Sequence, residues 1–148
     1  MNAKEMWDAF SKKHHPGTDQ YEAWAFGDDP DALAELVCRG TKTATASAYA
    51  LYQIDNEPLP AVGDCSVILD SHGEARCIIR NTRVYIVPFD HVSADHAFKE
   101  GEGDRSLTHW RDVHKRFFTA ELTAVGLSFS ETMDVVCEEF EVIYGERI

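Results

Sequence analysis

Two β-rich segments, Cys65 to Leu69 and Ala75 to Val87, are separated by the turn Asp70-Ser71-His72-Gly73, and a third segment from about Met133 to Tyr144 closes the chain. A connection that short cannot carry a parallel crossover, so the first two segments are expected to pair as an antiparallel hairpin. In the last segment Phe140, Val142 and Tyr144 alternate onto one face. Helical patterns lie before, between and beside these strands. The expected class is therefore α+β, a small β-barrel with flanking α-helices, in preference to a doubly wound parallel sheet.

The helices announce themselves through their ends. Asn2 can cap an opening helix, with Glu5 three positions on and Met6 and Phe10 sharing a face with Ala3, until His14-His15-Pro16-Gly17 stops it. Tyr21 to Phe26 reads as an aromatic connector. Asp29 caps a second helix with Pro30 in its first turn and Leu33, Leu36 and Val37 as its stripe, and Arg39-Gly40 ends it. Thr41 to Gln53 reads two ways: the Thr-rich start suits a strand, while Ala46 to Tyr52 suits a helix. A short extended entry followed by a helix is the expectation. Pro58 to Asp64 reads as a loop and Pro88 as the interruption of the long strand. Ser93 caps a short helix through Lys99, Glu100 to Asp104 is a loop, and Ser106 caps a longer helix striped by Leu107, Trp110, Val113, His114 and Phe117.

The 148 residues, 44% of them hydrophobic, suffice for one core, so a single domain over 1–148 is expected. With 14 Lys and Arg against 26 Asp and Glu, the formal charge is −12. That charge repels phosphate backbones and opposes the counterion release behind most non-specific nucleic-acid affinity. A local basic cleft or a small ligand stays open. Cys38, Cys65, Cys77 and Cys137 never form Cys-x-x-Cys and read as core thiols. No secretory signal or membrane-length apolar run is found, so a cytoplasmic protein without a membrane partner is expected.

Three clusters can carry chemistry. In Gly40-Thr41-Lys42-Thr43-Ala44-Thr45 a lysine lies close to several hydroxyls. A lysine can activate a threonine nucleophile beside it, but a regular strand would point Lys42 and Thr45 to opposite faces, so this chemistry needs irregular backbone. The competing reading is a helix cap followed by a Thr-rich strand with a solvated lysine. Glu100-Gly101-Glu102-Gly103-Asp104 offers carboxylates that could orient a lysine or bind a cation; the competing reading is a solvated loop. Trp110 and His114 are i,i+4 neighbours on the core-facing stripe that read first as a packed Trp and a hydrogen-bonded His. Arg111, with Arg76 and Arg80 on the long β-stretch, could line a cleft for a nucleotide or short RNA, or be scattered surface charge. His91 and His96, like His109 and His114, are five apart and do not share a helical face, and no metal-binding motif is found.

Taken in order, Trp24-Ala-Phe-Gly27, Gly40 to Ser47, Leu59 to Asp64, Pro88-Phe89, Glu100 to Asp104, Trp110 to His114, Phe117-Phe118 and the last strand resemble the ASCH domain family. The resemblance runs from about residue 21 to Tyr144. It implies a PUA-like barrel and an RNA-related or modified-nucleoside role, since some compact members deacetylate cytidine acetylated on its exocyclic amine. Their Gly-x-Lys-x-x-Thr pattern falls on Gly40, Lys42 and Thr45, and their acidic residue best on Glu100, with Glu102 as the alternative. By that resemblance Thr45 attacks the amide, Lys42 shuttles the proton and Glu100 holds Lys42, with no cofactor. Ser47 stands where the compact pattern has a basic residue. Substrate contacts are expected from Tyr21, Trp24, Thr43, Arg76, Arg80, Glu102, Trp110, Arg111 and His114. The expected partner is a nucleoside or short single-stranded RNA. The alternatives are a non-catalytic RNA-binding module, with Tyr21 or Trp24 stacking a base, and a single-strand ribonuclease whose carboxylates hold Mg²⁺.

Overall fold

A computed structural model describes residues 1–145; positions 146–148, the end of the expected domain, lie outside the described residues. The elements run α1 (Ala3–His14), β1 (Glu22–Trp24), α2 (Pro30–Cys38), β2 (Ala44–Ala48), α3 (Tyr49–Ile54), β3 (Cys65–Leu69), β4 (Ala75–Pro88), α4 (Ala94–Glu100), α5 (Leu107–Ala124) and β5 (Asp134–Gly145), with a 3-10 turn at Phe89–His91. The strands form one mixed sheet in the order β1-β3-β4-β5-β2. Only β1 and β3 run parallel; the other three pairings are antiparallel, including the β3–β4 hairpin.

The order places β1 and β2 at opposite edges of the sheet, yet residues of both line one cavity. The sheet therefore curls into a half-barrel whose edges face each other across that space, with the five helices around it. The long central strand β4 bends at irregularities. Asn81 pairs with Phe140 and Arg83 with Glu139, so Thr82 is an extra residue, the signature of a β-bulge. Three apolar clusters fill the interior. One packs α5 and Phe89 against β5, a second α2 against β3, β4 and β5, and a third Met6, Trp7 and Phe10 of α1 against Val67 and Ile78.

The capping expectations are met in detail: Asn2 and Glu5 form a reciprocal capping box, and Asp29, Ser93 and Ser106 each accept from the backbone N–H three residues on. Two boundaries and one buried face differ. Glu22–Trp24, read as connector, pairs with β3, because so short a strand shows no alternation. Glu100 closes α4 rather than opening the loop. On α5 the most buried residues are Trp110, His114, Phe118 and Leu122, so Phe118 takes the place expected of Phe117. No helix among the described residues is long and apolar enough to cross a membrane.

Candidate active site

Lys42 lies between α2 and β2 in backbone that is neither helix nor strand. Three neighbours hold this stretch. The Leu36 carbonyl accepts from the N–H groups of Thr41 and Lys42 at 3.0 and 3.1 Å, the Thr43 N–H donates to Lys99 O at 2.7 Å, and the Thr43 carbonyl accepts from Phe140 N–H at 3.0 Å. The irregular path lets Lys42 and Thr45, three positions apart, both reach the cavity. Across from them α4 ends at Gly101 with φ 73, a left-handed cap that suits glycine, and a side chain there would run into the Thr41 carbonyl. That close approach carries Glu100, the last residue of α4, onto Lys42.

The side chains of Lys42 and Glu100 are each 1% exposed. The Lys42 Nζ lies 3.0 Å from Glu102 Oε2, 3.3 Å from Glu100 Oε1 and 3.4 Å from the Glu100 carbonyl. It also lies 5.3 Å from the centre of the Phe26 ring. On its other oxygen the Glu100 carboxylate accepts from Trp110 Nε1 at 2.6 Å and meets His96 Nε2 at 2.7 Å. His114 Nε2 approaches Glu100 Oε1 at 3.3 Å.

Proton positions follow from this arrangement. Burial pushes the Glu100 carboxyl up, but Lys42 and His114 outweigh it and hold the group well below the usual carboxylate range. Facing an ionised Glu100, whose oxygens only accept, His96 Nε2 donates, and its Nδ1 lies 3.2 Å from the Tyr85 hydroxyl. His114 Nδ1 faces the Trp110 carbonyl at 2.9 Å, which only accepts, while its Nε2 faces Glu100, so both ring nitrogens donate. Burial pulls the His114 value down, yet Glu100 raises it overall, in agreement with an imidazolium. The cluster thus sets two cations against two carboxylates, the pairing that buried charge requires.

The cavity above the cluster has a volume of about 800 Å³, within the range of small-molecule sites. Among the described residues, eight carboxylates line it against a single lysine. Asn81, beside the β4 bulge, donates through Nδ2 to Glu138 Oε1 at 2.9 Å, and Ser47 Oγ and the Tyr52 hydroxyl lie 2.8 Å apart. Glu100, Glu102 and His114 offer ligand atoms within 4.8 Å of one another. The Lys42 ammonium already engages both carboxylates and His114 bears hydrogen on both nitrogens, so the trio fits a resident cation poorly.

The ASCH domain family model matches residues 22–144. The chain belongs to the ASCH domain family. It is similar to a solved protein from Enterococcus faecalis with 37% identity over 96% of this chain and 88% of that one, at a TM-score of 0.89. An ASCH domain from Lactobacillus crispatus is 33% identical over 95% of this chain and 91% of that chain, at a TM-score of 0.86. An ASCH structure from Zymomonas mobilis shares the fold at 10% identity, covering 86% and 72% of the two chains with a TM-score of 0.51. Comparison with curated proteins finds no match.

Within this ASCH domain the candidate residues separate into two groups. Lys42, Thr45, Glu100, Glu102, Trp24 and His114 line the cavity, and Trp110 holds Glu100 from behind. Tyr21, Thr43, Arg76, Arg80 and Arg111 do not line it. Tyr21 stacks on Trp7 at 4.7 Å, Thr43 Oγ1 donates to Lys99 O at 3.4 Å, Arg80 pairs with Glu141 at 2.7 Å on the surface, and Arg111 reaches Asp90 O at 3.4 Å. Three further residues at the site, His96, Asn81 and Glu138, lie outside the sequence candidates. His96 and Glu100 are i,i+4 on α4, a spacing visible in the sequence, whereas Asn81 and Glu138 meet only through the β4–β5 pairing.

Proposed function

We propose that this ASCH protein hydrolyses an amide on a modified pyrimidine nucleoside of the acetylcytidine type. The observation that carries the reading is a fully buried lysine clamped by Glu100 and Glu102 in the wall of the cavity that Thr45 also lines. In this mechanism Thr45 Oγ bonds to the amide carbonyl carbon. Lys42 relays the proton, taking that of the hydroxyl as it gives one to the departing nitrogen. The C–N bond breaks, the amine leaves, and water then cleaves the threonine ester to release the acid and restore Thr45. Glu100 positions Lys42 and is itself fixed by His96, Trp110 and His114.

Two features favour a small neutral substrate over RNA. The cavity lining is strongly acidic, and Arg76, Arg80 and Arg111 lie away from it. The reaction as written needs no metal, and the cation-like position among Glu100, Glu102 and His114 is served by Lys42. We also place the protein in the cytoplasm, a setting that suits four cysteines present as thiols.

The test is turnover of acetylcytidine by the wild type, Lys42→Ala and Thr45→Ala, with and without EDTA. Wild-type turnover resistant to EDTA and lost in both variants is the expected result. Turnover retained by both variants overturns these roles. Salt-dependent binding of short single-stranded RNA without turnover would instead make the protein a binding module, and RNA cleavage abolished by EDTA would make it a nuclease.

A further inference from the structure

Thr45 on β2 and Glu138 on β5 are direct cross-strand partners, and both line the cavity. Side chains so paired lie on one face with Cβ atoms about 4.5–5.5 Å apart. A substrate whose carbonyl meets the Thr45 hydroxyl therefore brings the nitrogen of the same amide, one bond away, toward the Glu138 carboxyl. Glu138 is not left loose. Asn81, 7% exposed, donates to its Oε1 and also lies 3.5 Å from the Ala61 carbonyl, while among the described residues Oε2 has no hydrogen-bond partner.

From this placement we infer that Glu138, oriented by Asn81, is the specificity-determining residue of the cavity and reads the edge of a pyrimidine that carries an exocyclic N–H beside a ring-nitrogen acceptor. The inference rests on the amidohydrolase reading for its substrate class. Oε1 has a second lone pair for the N–H, and Oε2 in its protonated form donates to the ring nitrogen. Burial pushes the Glu138 carboxyl up; the Asn81 hydrogen bond opposes this, and the nearby Asp64 and Glu22 carboxylates add to the rise. A carboxylic acid presents a donor and an acceptor side by side, matching an amino-pyrimidine edge in a way that an alkyl side chain or a hydroxyl alone does not. A site built on such groups rejects an analogue that leaves them unpaired.

The experiment measures dissociation constants of cytidine and N4,N4-dimethylcytidine, which lacks the exocyclic N–H, for wild type, Glu138→Ala and Glu138→Gln, with thermal unfolding as the folding control. Wild type is expected to prefer cytidine by about tenfold, the scale of one or two hydrogen bonds to a ligand. Glu138→Ala should lose that preference, and Glu138→Gln, whose amide also offers an acceptor beside a donor, should keep most of it. A preference unchanged in Glu138→Ala, or no cytidine binding by the folded wild type, overturns the inference. Acetylcytidine turnover assayed on the same proteins separates the two claims. A Glu138-dependent preference without turnover rejects the hydrolase reading alone, and turnover indifferent to Glu138 rejects this inference alone.

Discussion

Replacing Glu100 by glutamine tests the central electrostatic claim with almost no change of shape. The carboxylate accepts from Trp110 at 2.6 Å, meets His96 at 2.7 Å and faces Lys42 and His114 at 3.3 Å each. A glutamine can turn its oxygen to one pair of these donors, but its NH₂ then confronts the other pair. Removing one partner of a buried ion pair costs about 3–5 kcal/mol. Lys42 keeps Glu102 at 3.0 Å and His114 can shed a proton, which places the expected loss near the lower end, about 3 kcal/mol. For a domain of this size that is a fall in Tm of roughly 6–12 °C. The pH dependence has a definite sign. His114 is raised, so its contribution is complete below the ordinary 6.5 and is lost as pH rises through its folded value. Glu100 is lowered, so its contribution is present above the ordinary 4.5 and is lost as pH falls through its folded value. Both operate between those ordinary values. Urea unfolding followed by circular dichroism at about pH 5.5 and about pH 9 should show the variant's deficit largest at the lower pH. A loss under about 1 kcal/mol there, the worth of an exposed pair, would refute the reasoning.

Further outcomes follow from single positions. Thr45 lines the cavity without supporting the charge cluster, so Thr45→Ala should abolish acetylcytidine turnover with a Tm within a few degrees of wild type, while Thr45→Ser keeps measurable activity; kinetics and calorimetry on one preparation check both. Gly101→Ala places a side chain in a left-handed conformation against the Thr41 carbonyl, and should cost at least about 1–2 kcal/mol in chemical denaturation and depress activity by displacing Glu100. Burial pushes the Cys137 thiol up to about 12, whereas Cys65 is only half-buried. Mass spectrometry after brief iodoacetamide treatment of the native protein should find Cys65 alkylated well before Cys137.

What the sequence disclosed follows the range of the interactions involved. Caps act across three residues, which is why Asn2, Asp29, Ser93 and Ser106 could be read directly. The β3–β4 hairpin is similarly local. By contrast β1 shows no periodicity over three residues and owes its extended form to parallel pairing with β3, forty-odd positions on. The convergence of Lys42 and Glu100 spans 58 positions and depends on Gly101 letting α4 pack on the Thr41 carbonyl. The motif resemblance, rather than the local pattern, pointed to that pair. The arginines illustrate the opposite error of range. Arg76, Arg80 and Arg111 look like one basic patch by composition, but sheet register and the turn of α5 keep them away from the cavity lining.

The net charge of −12 then bears on the substrate in a more specific way than its first reading allowed. Lys42, among the described residues the one lysine lining the cavity, is already matched by Glu100 and Glu102, so a ligand meets the remaining carboxylates, Glu22, Glu57 and Asp64 among them, as uncompensated charge. Glu138 and Glu121 differ because burial pushes both carboxyls up. A phosphate held 4 Å from one ionised carboxylate would meet a repulsion of about 4 kcal/mol at an effective dielectric of 20. A free nucleoside meets none of this. Cytidine should therefore bind at least tenfold more tightly than cytidine 5′-monophosphate. Added salt should narrow the gap only in part, because charges inside a cavity are screened less than charges on a surface. Equilibrium titration of both ligands at low and high ionic strength measures the difference, and a monophosphate that binds as tightly as the nucleoside would mean that a phosphate finds a cationic contact outside this lining, reopening the short-RNA reading.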